Sequence, residues 1–159
     1  MKSEQLDTIT FEVLRNAFNA ICDEAGRKLE RVAYTNTIHE GRDYSVGIVT
    51  RDFEMVTHGM PNCAPHLGTF ESKIEALTRI WDPSEMKAGD VFIWNDPYSG
   101  GTHQNDMAYI RPVFIDGELF AYAINLGHMP DVGGPIPGSF NPKATTCYEE
   151  GLRIPGLKL

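Results

Sequence analysis

The sequence predicts an α+β fold: a mostly antiparallel sheet with a long N-terminal helix and a second amphipathic helix. Three observations predict it. Apolar residues recur at steps of three and four from Phe11 to Ala33 and again from Leu67 to Trp81, the helical period. Short alternating or continuous apolar runs at 44–50, 55–58, 91–94, 107–115 and 118–127 read as strands. Asp116-Gly117, between the last two runs, is the strongest short hairpin signal in the chain.

The first helix carries Phe11, Leu14, Phe18, Ile21, Cys22, Ala25, Leu29, Val32 and Ala33 as one stripe, which is expected to face the core. Thr8 or Thr10 is placed to cap it, and Glu12 sits in the positive first turn. Tyr44–Thr50 and Met55–His58 read as a hairpin around Arg51–Glu54. A loop through Met60, Cys63 and Pro65 leads to the second helix. Its stripe is Leu67, Phe70, Ile74, Leu77 and Ile80 or Trp81, with His66 at its opening as an N-cap acceptor and Asp82-Pro83-Ser84 as its stop. Val91–Trp94 is almost wholly apolar, as expected of a central strand. After Gly127 periodicity fades. Residues 1–159 read as a single domain in which 129–159 form an extended loop or tail that packs on a missing domain or partner.

Composition narrows the class. Of 159 residues 42% are hydrophobic and 23% charged, ordinary for a globular chain and too apolar for wholesale disorder. A formal charge of −8 argues against a nucleic-acid partner, which needs a basic face. No window approaches the roughly 20 apolar residues of a membrane span. Met1–Asp7 lacks the apolar core of a signal peptide, so the expected location is cytoplasmic. Cys22, Cys63 and Cys147 form no CxxC pair and read as three reduced thiols, Cys22 in the core.

The residues able to do chemistry flank the last hairpin. Upstream lies 95–106, with Asp96 and the unit His103-x-x-Asp106. Downstream lies 125–134, with the unit His128-x-x-Asp131. A two-residue turn at Asp116-Gly117 pairs Ile115 with Glu118, which sets position 105 opposite 128 and 106 opposite 127. His103, Asp106 and His128 therefore meet at one end of the sheet. Strict alternation puts Asp106 and His128 on opposite faces, and a single bulge, for which Pro112 is a natural place, restores a shared face. Two imidazoles and a carboxylate suit Mn, Fe or Zn with positions left open, and Asp131 or Asp96 is a candidate fourth ligand or orienting group. From spacing alone the competing reading is that these residues cap loops. The loop Ile38–Tyr44 gathers His39, acid and base, and is a second candidate lining. Gly100-Gly101 opens no phosphate loop, and neither a Gly-x-Ser-x-Gly elbow nor a Cys beside His occurs. Nucleotide chemistry must then come from a partner.

Taken together, Asn95-Asp96-Pro97-Tyr98, Gly100-Gly101-Thr102-His103, Asp106, His128-x-x-Asp131-Val132-Gly133-Gly134 and Pro137-Gly138-Ser139 resemble the hydantoinase B/oxoprolinase family. Ile9–Asn16, Arg42-Asp43-Tyr44-Ser45 and Glu149–Pro155 fit the same family, so the resemblance runs along essentially the whole chain. It implies an ATP-using, hydantoinase A-like partner subunit in a hetero-oligomer, and either hydrolysis of cyclic amides or carboxylation of small ketones. It also implies a divalent metal, manganese first and zinc or iron as alternatives, on His103, Asp106 and His128, with ATP bound by the partner. Asp131, Asp96 and His39 are the candidate catalytic residues around it. Family subunits are much longer, and the chain resembles their N-terminal part, so by itself it is expected to be inactive. A non-catalytic assembly module is the third reading. Many hydrolase-type members carry Thr-His-Leu-Pro-Asp and His-His-x-Asp where this chain has Thr102-His103-Gln104-Asn105-Asp106 and His128-Met129-Pro130-Asp131. The Gln-Asn version looks nearer the carboxylase branch.

Overall fold

The computed structural model describes residues 6–159; the opening residues 1–5, part of the stretch read for a signal peptide, lie outside them. Strands β1 (Tyr44–Thr50), β2 (Met55–His58), β3 (Phe92–Trp94), β4 (Asp106–Ile115), β5 (Glu118–His128) and β6 (Pro155–Lys158) form one sheet. Its order is β2-β1-β5-β4-β3-β6, and every pairing is antiparallel. Among the described residues four α-helices accompany it: α1 (Thr8–Val32), α2 (Asn36–His39), α3 (Ala64–Leu67) and α4 (Phe70–Thr78). The fold is α+β, and among the described residues no helix is long and apolar enough to cross a membrane.

The core lies between α4 and one face of the sheet. Phe70, Ile74 and Leu77, spaced by four and three, are fully buried against Val49, Trp94, Ile110, Tyr122, Ile124 and Leu126. Burying side chains of this size contributes roughly 1.5–3 kcal/mol each. The expected single second helix is divided. The short α3 starts at Ala64 with Pro65 in its first turn and Gly68 as its C-cap, and α4 begins at Phe70. His66 thus lies inside α3 and does not cap a helix.

The other face receives α1, with a different outcome from the stripe predicted. Only Cys22 and Gly26 of α1 are buried, while Phe11 and Ile21 are 53% and 55% exposed. The reason is placement: α1 packs on β1, β2 and α2, and an open groove separates Phe18, Ile21 and Ala25 from Val113 and Phe120 of β4 and β5. Its cap is Asp7, whose Oδ1 accepts the Ile9 and Thr10 amides at 3.0 Å, rather than Thr8 or Thr10. Glu12 lies beyond the first turn, which holds no acid.

The β4–β5 register leaves the turn as expected, Ile115 opposite Glu118 and Phe114 opposite Leu119. It then shifts between Val113 and Phe114, so that Val113 faces Ala121 and Phe120 is the extra residue. From there each pair is displaced by one, and Asp106 stands directly opposite His128. The bulge falls one residue from Pro112. The tail is not wholly unpaired, because 155–158 add β6 against β3. Gly156, at φ 86°, passes over the Trp94 ring so closely that a Cβ there would collide with it.

Candidate metal centre

Alternation along β4 and β5 sends Ala108, Ile110, Ile124 and Leu126 into the core, and continues the same face outward to Asp106 and His128. The polar cluster is therefore the last row of the apolar face. Its backbone is held at several points. The His128 amide donates to Asp43 O at 3.0 Å, and Thr37 Oγ1 donates to His128 O at 3.0 Å. Asn105 extends the ladder, its carbonyl accepting the Met129 amide at 2.7 Å and its Nδ2 donating to Met129 O at 2.9 Å.

A turn brings His103 to Asp106, the Asp106 amide donating to His103 O at 3.1 Å. Asp106 Oδ1 then lies 3.1 Å from His103 Nε2 and 3.2 Å from His128 Nδ1, while Oδ2 accepts from Thr102 Oγ1. The two imidazole rings are 4.9 Å apart between centroids. Burial pushes the Asp106 carboxyl up, but the hydrogen bonds from His103, His66 and Thr102 outweigh it and hold the group far below the usual carboxylate range. The hydrogen bond to Asp106 raises His103 in turn, against the opposing effect of its own burial.

The loop from Asn95 to Asn105 is shaped by its anchors. Gly100, at φ 77°, lies against the backbone of Ser72 and Lys73, and its carbonyl accepts from the Lys73 ammonium at 2.8 Å. Lys73 is fully buried with no acidic partner in contact among the described residues, and burial lowers its pKa to about 8. Beyond His103 opens a cleft of about 520 Å³ lined by Asn105, Ser139, Phe140, Asn141, Pro142 and Glu150. At its mouth the Phe140 ring stands 6.0 Å from that of His103.

The structure brings His103, Asp106 and His128 together, and their ligand atoms lie within 4.8 Å of one another. It does not bring Asp131, Asp96 or His39 to them. Both Asp131 oxygens are engaged by its own loop, accepting from Gly133 N, Gly138 N and Ser139 Oγ. Asp96 is buried in a two-point pair with Arg153, at 2.8 and 2.7 Å. His39 Nδ1 lies 2.8 Å from Glu30 O, on the α1 side. Three other residues are present instead: Asp43, from the Ile38–Tyr44 loop read as a candidate lining, and Cys63 and His66, which the sequence reading gave no site role. His66 Nε2 lies 3.5 Å from Asp106 Oδ1, Asp43 Oδ2 lies 3.8 Å from His128 Nδ1, and the Cys63 thiol joins Asp43 and His66. Asp43 directly precedes β1, so pairing β1 with β5 (Tyr44 opposite Gly127) places it beside His128. That pairing is the signal; nothing local announces His66.

Residues 7–159 match the family model described as hydantoinase B/oxoprolinase. The chain is 34% identical over 154 residues to the caprolactamase subunit beta of Pseudomonas jessenii, covering 97% of this chain and 26% of that protein. It is 30% identical over 159 residues to 5-oxoprolinase PfmaA of Pestalotiopsis fici, covering 100% of this chain and 12% of that one. The chain thus spans about a quarter or less of these relatives. The crystal structure of the ATP-dependent caprolactamase from Pseudomonas jessenii superposes with a TM-score of 0.85 at 34% identity, over 98% of this chain and 27% of that one. A nucleotide-free acetone carboxylase shares the fold at a TM-score of 0.87 and 20% identity, over 96% of this chain and 20% of that one. The chain belongs to the hydantoinase B/oxoprolinase family.

Proposed function

We propose that the chain works within an ATP-dependent hydrolase of cyclic amides, and that His103, Asp106 and His128 hold a divalent metal, manganese first and zinc or iron as alternatives. The observation that carries the metal reading is the sharing of one buried carboxylate oxygen by two imidazole nitrogens at 3.1 and 3.2 Å. Two neutral imidazoles and an ionised carboxylate are a donor set that leaves coordination positions open. The fit is good on this chain's own terms. Asp106 stays ionised, its second oxygen is steadied by Thr102, and the cleft reaches His103 from solvent. Such an ion supplies Lewis-acid polarisation of a carbonyl oxygen. The residues' part is to orient the imidazoles, keep the carboxylate charged and close the inner side of the cleft with core.

The amide-hydrolase reading draws on the names of the relatives, 5-oxoprolinase and ATP-dependent caprolactamase. ATP would be handled by a hydantoinase A-like partner subunit in a hetero-oligomer, since the chain has no phosphate loop. A ketone carboxylase is the second reading, favoured by Gln104-Asn105. Gln104, however, is buried with its Nε2 donating to Gly151 O at 3.1 Å, so it serves the scaffold and leaves the cleft alone.

The test is elemental analysis of purified chain beside a His103→Ala, His128→Ala double variant shown to be folded by circular dichroism. Near-stoichiometric manganese, zinc or iron in the wild type and none in the variant is the expected result. No metal in either, with all three supplied in excess, sinks the assignment. With the partner subunit and ATP, a lactam or 5-oxoproline should drive ATP consumption without bicarbonate; ATP use only with a ketone and bicarbonate selects the second reading.

A further inference from the structure

His66 and Cys63 are not among the three ligands proposed above, yet they stand against them. With Asp43 they offer a carboxylate oxygen, a sulfur and a ring nitrogen all within 4.8 Å of one another. His66 is 3% exposed, and its Nδ1 faces Ser45 Oγ at 3.4 Å. The same hydroxyl oxygen accepts the Cys63 amide at 2.9 Å. One serine thus orients the imidazole and fixes the backbone of the cysteine, the arrangement that holds a metal-binding histidine by its far nitrogen. The near nitrogen, Nε2, is aimed between Asp43 Oδ1 at 3.6 Å and Asp106 Oδ1 at 3.5 Å, contacts long enough that any hydrogen bond it gives there is weak. A buried imidazole held only by long contacts, beside a carboxylate and a thiol, is a donor set for a borderline-soft cation.

We propose that Asp43, Cys63 and His66 bind a second transition-metal ion, zinc by preference, with the Asp43 carboxylate bridging to the ion on His103, Asp106 and His128. The bridge follows from the two oxygens of Asp43, of which Oδ1 faces His66 and Oδ2 faces His128. The pairing of ions rests on the metal reading of the first centre, whereas the Asp43–Cys63–His66 site stands on its own atoms. Sulfur sorts the two positions: a thiolate selects zinc over manganese, and the first centre has only nitrogen and oxygen. Two adjacent ions give an enzyme a Lewis acid on each side of a reacting carbonyl.

Cobalt(II) tests this, because a thiolate on cobalt gives a near-ultraviolet charge-transfer band that a merely structural cysteine does not. The wild-type chain should take two cobalt ions and show the band. Cys63→Ser should take one and lose the band, and the His103→Ala, His128→Ala variant should lose one ion and keep it. Asp43→Asn, which preserves side-chain shape, is the second variant and should weaken the band at limiting cobalt. One ion, no band and no effect of Cys63→Ser would overturn the second site and leave the first. One ion with the band, indifferent to the double histidine variant, would uphold the second site and overturn the first.

Discussion

The two faces of the sheet make an instructive pair. Against one, nine residues of α4 bury Phe70, Ile74 and Leu77 completely. Against the other, the 25 residues of α1 bury only Cys22 and Gly26. The longer helix has the stronger-looking stripe and closes less. Beside it an almost wholly apolar groove of about 370 Å³ runs between Phe18, Ile21 and Ala25 of the helix and Val113, Ile115 and Phe120 of the sheet. Helical periodicity reports which side of a helix is apolar; it does not report how much sheet lies beneath that side. The functional cluster grows from the well-closed face, where Asp106 and His128 inherit fixed positions from the core rows behind them.

That comparison can be broken by mutation. Phe70→Ala should cost about 3–5 kcal/mol in urea unfolding, and Phe11→Ala on α1 less than about 0.5 kcal/mol. Equal costs would mean that α1 is covered in solution. The next effect is at the edge of the closed face. Arg153→Ala should cost roughly 3 kcal/mol, because it leaves the buried Asp96 carboxylate without its guanidinium. Arg153 holds Asp96 below its ordinary 3.8, so this contribution is present above about pH 4 and fades as pH falls through the lower folded-state value. The wild-type advantage over Arg153→Ala should therefore shrink on acidification.

Lys73 gives a smaller effect of opposite sense. Its folded-state pKa, lowered by burial to about 8, means that the ammonium opposes folding at neutral pH and opposes it less as pH rises from 8 toward 10.5. Wild type should gain on the order of 1–3 kcal/mol relative to Lys73→Met across that interval, measured by denaturant midpoints. The smallest signal sharpens the picture of α1. Burial raises the Cys22 thiol to about 11, against an ordinary 9.0, so its thiolate fraction at pH 8 is roughly a hundredfold lower. Iodoacetamide should label Cys22 last, well after the half-exposed Cys147.

Local chemistry was the legible part of the sequence. Asp116-Gly117 set the hairpin, and its arithmetic led to Asp106 and His128 at one end with a bulge required between. What stayed hidden depended on long-range pairing. Asp43 joins the cluster only because β1 lies beside β5, and no residue near position 43 encodes that neighbour. His66 arrives by way of a four-residue helix too short to carry a period. The same holds for β6, four residues long, whose partner strand is sixty positions away. Asp131 and Asp96 illustrate the converse: a carboxylate in a motif looks free until its loop closes and takes both oxygens.

Asn95 has a role in the order of assembly. Its Nδ2 donates to Gln104 O at 2.9 Å and to Leu152 O at 2.7 Å, and its Oδ1 accepts the Ile154 amide at 2.5 Å. Next to it, Asp96 grips Arg153. One dipeptide therefore ties the segment that delivers His103 to residues 152–154, 57 to 59 positions downstream. Closing a loop of that length comes late in folding, after the local β4–β5 hairpin. The segment carrying His103 and the strand at 155–158 are therefore expected to open and close as one unit. Amide exchange should register them with a common opening rate, slower to protect than the hairpin between.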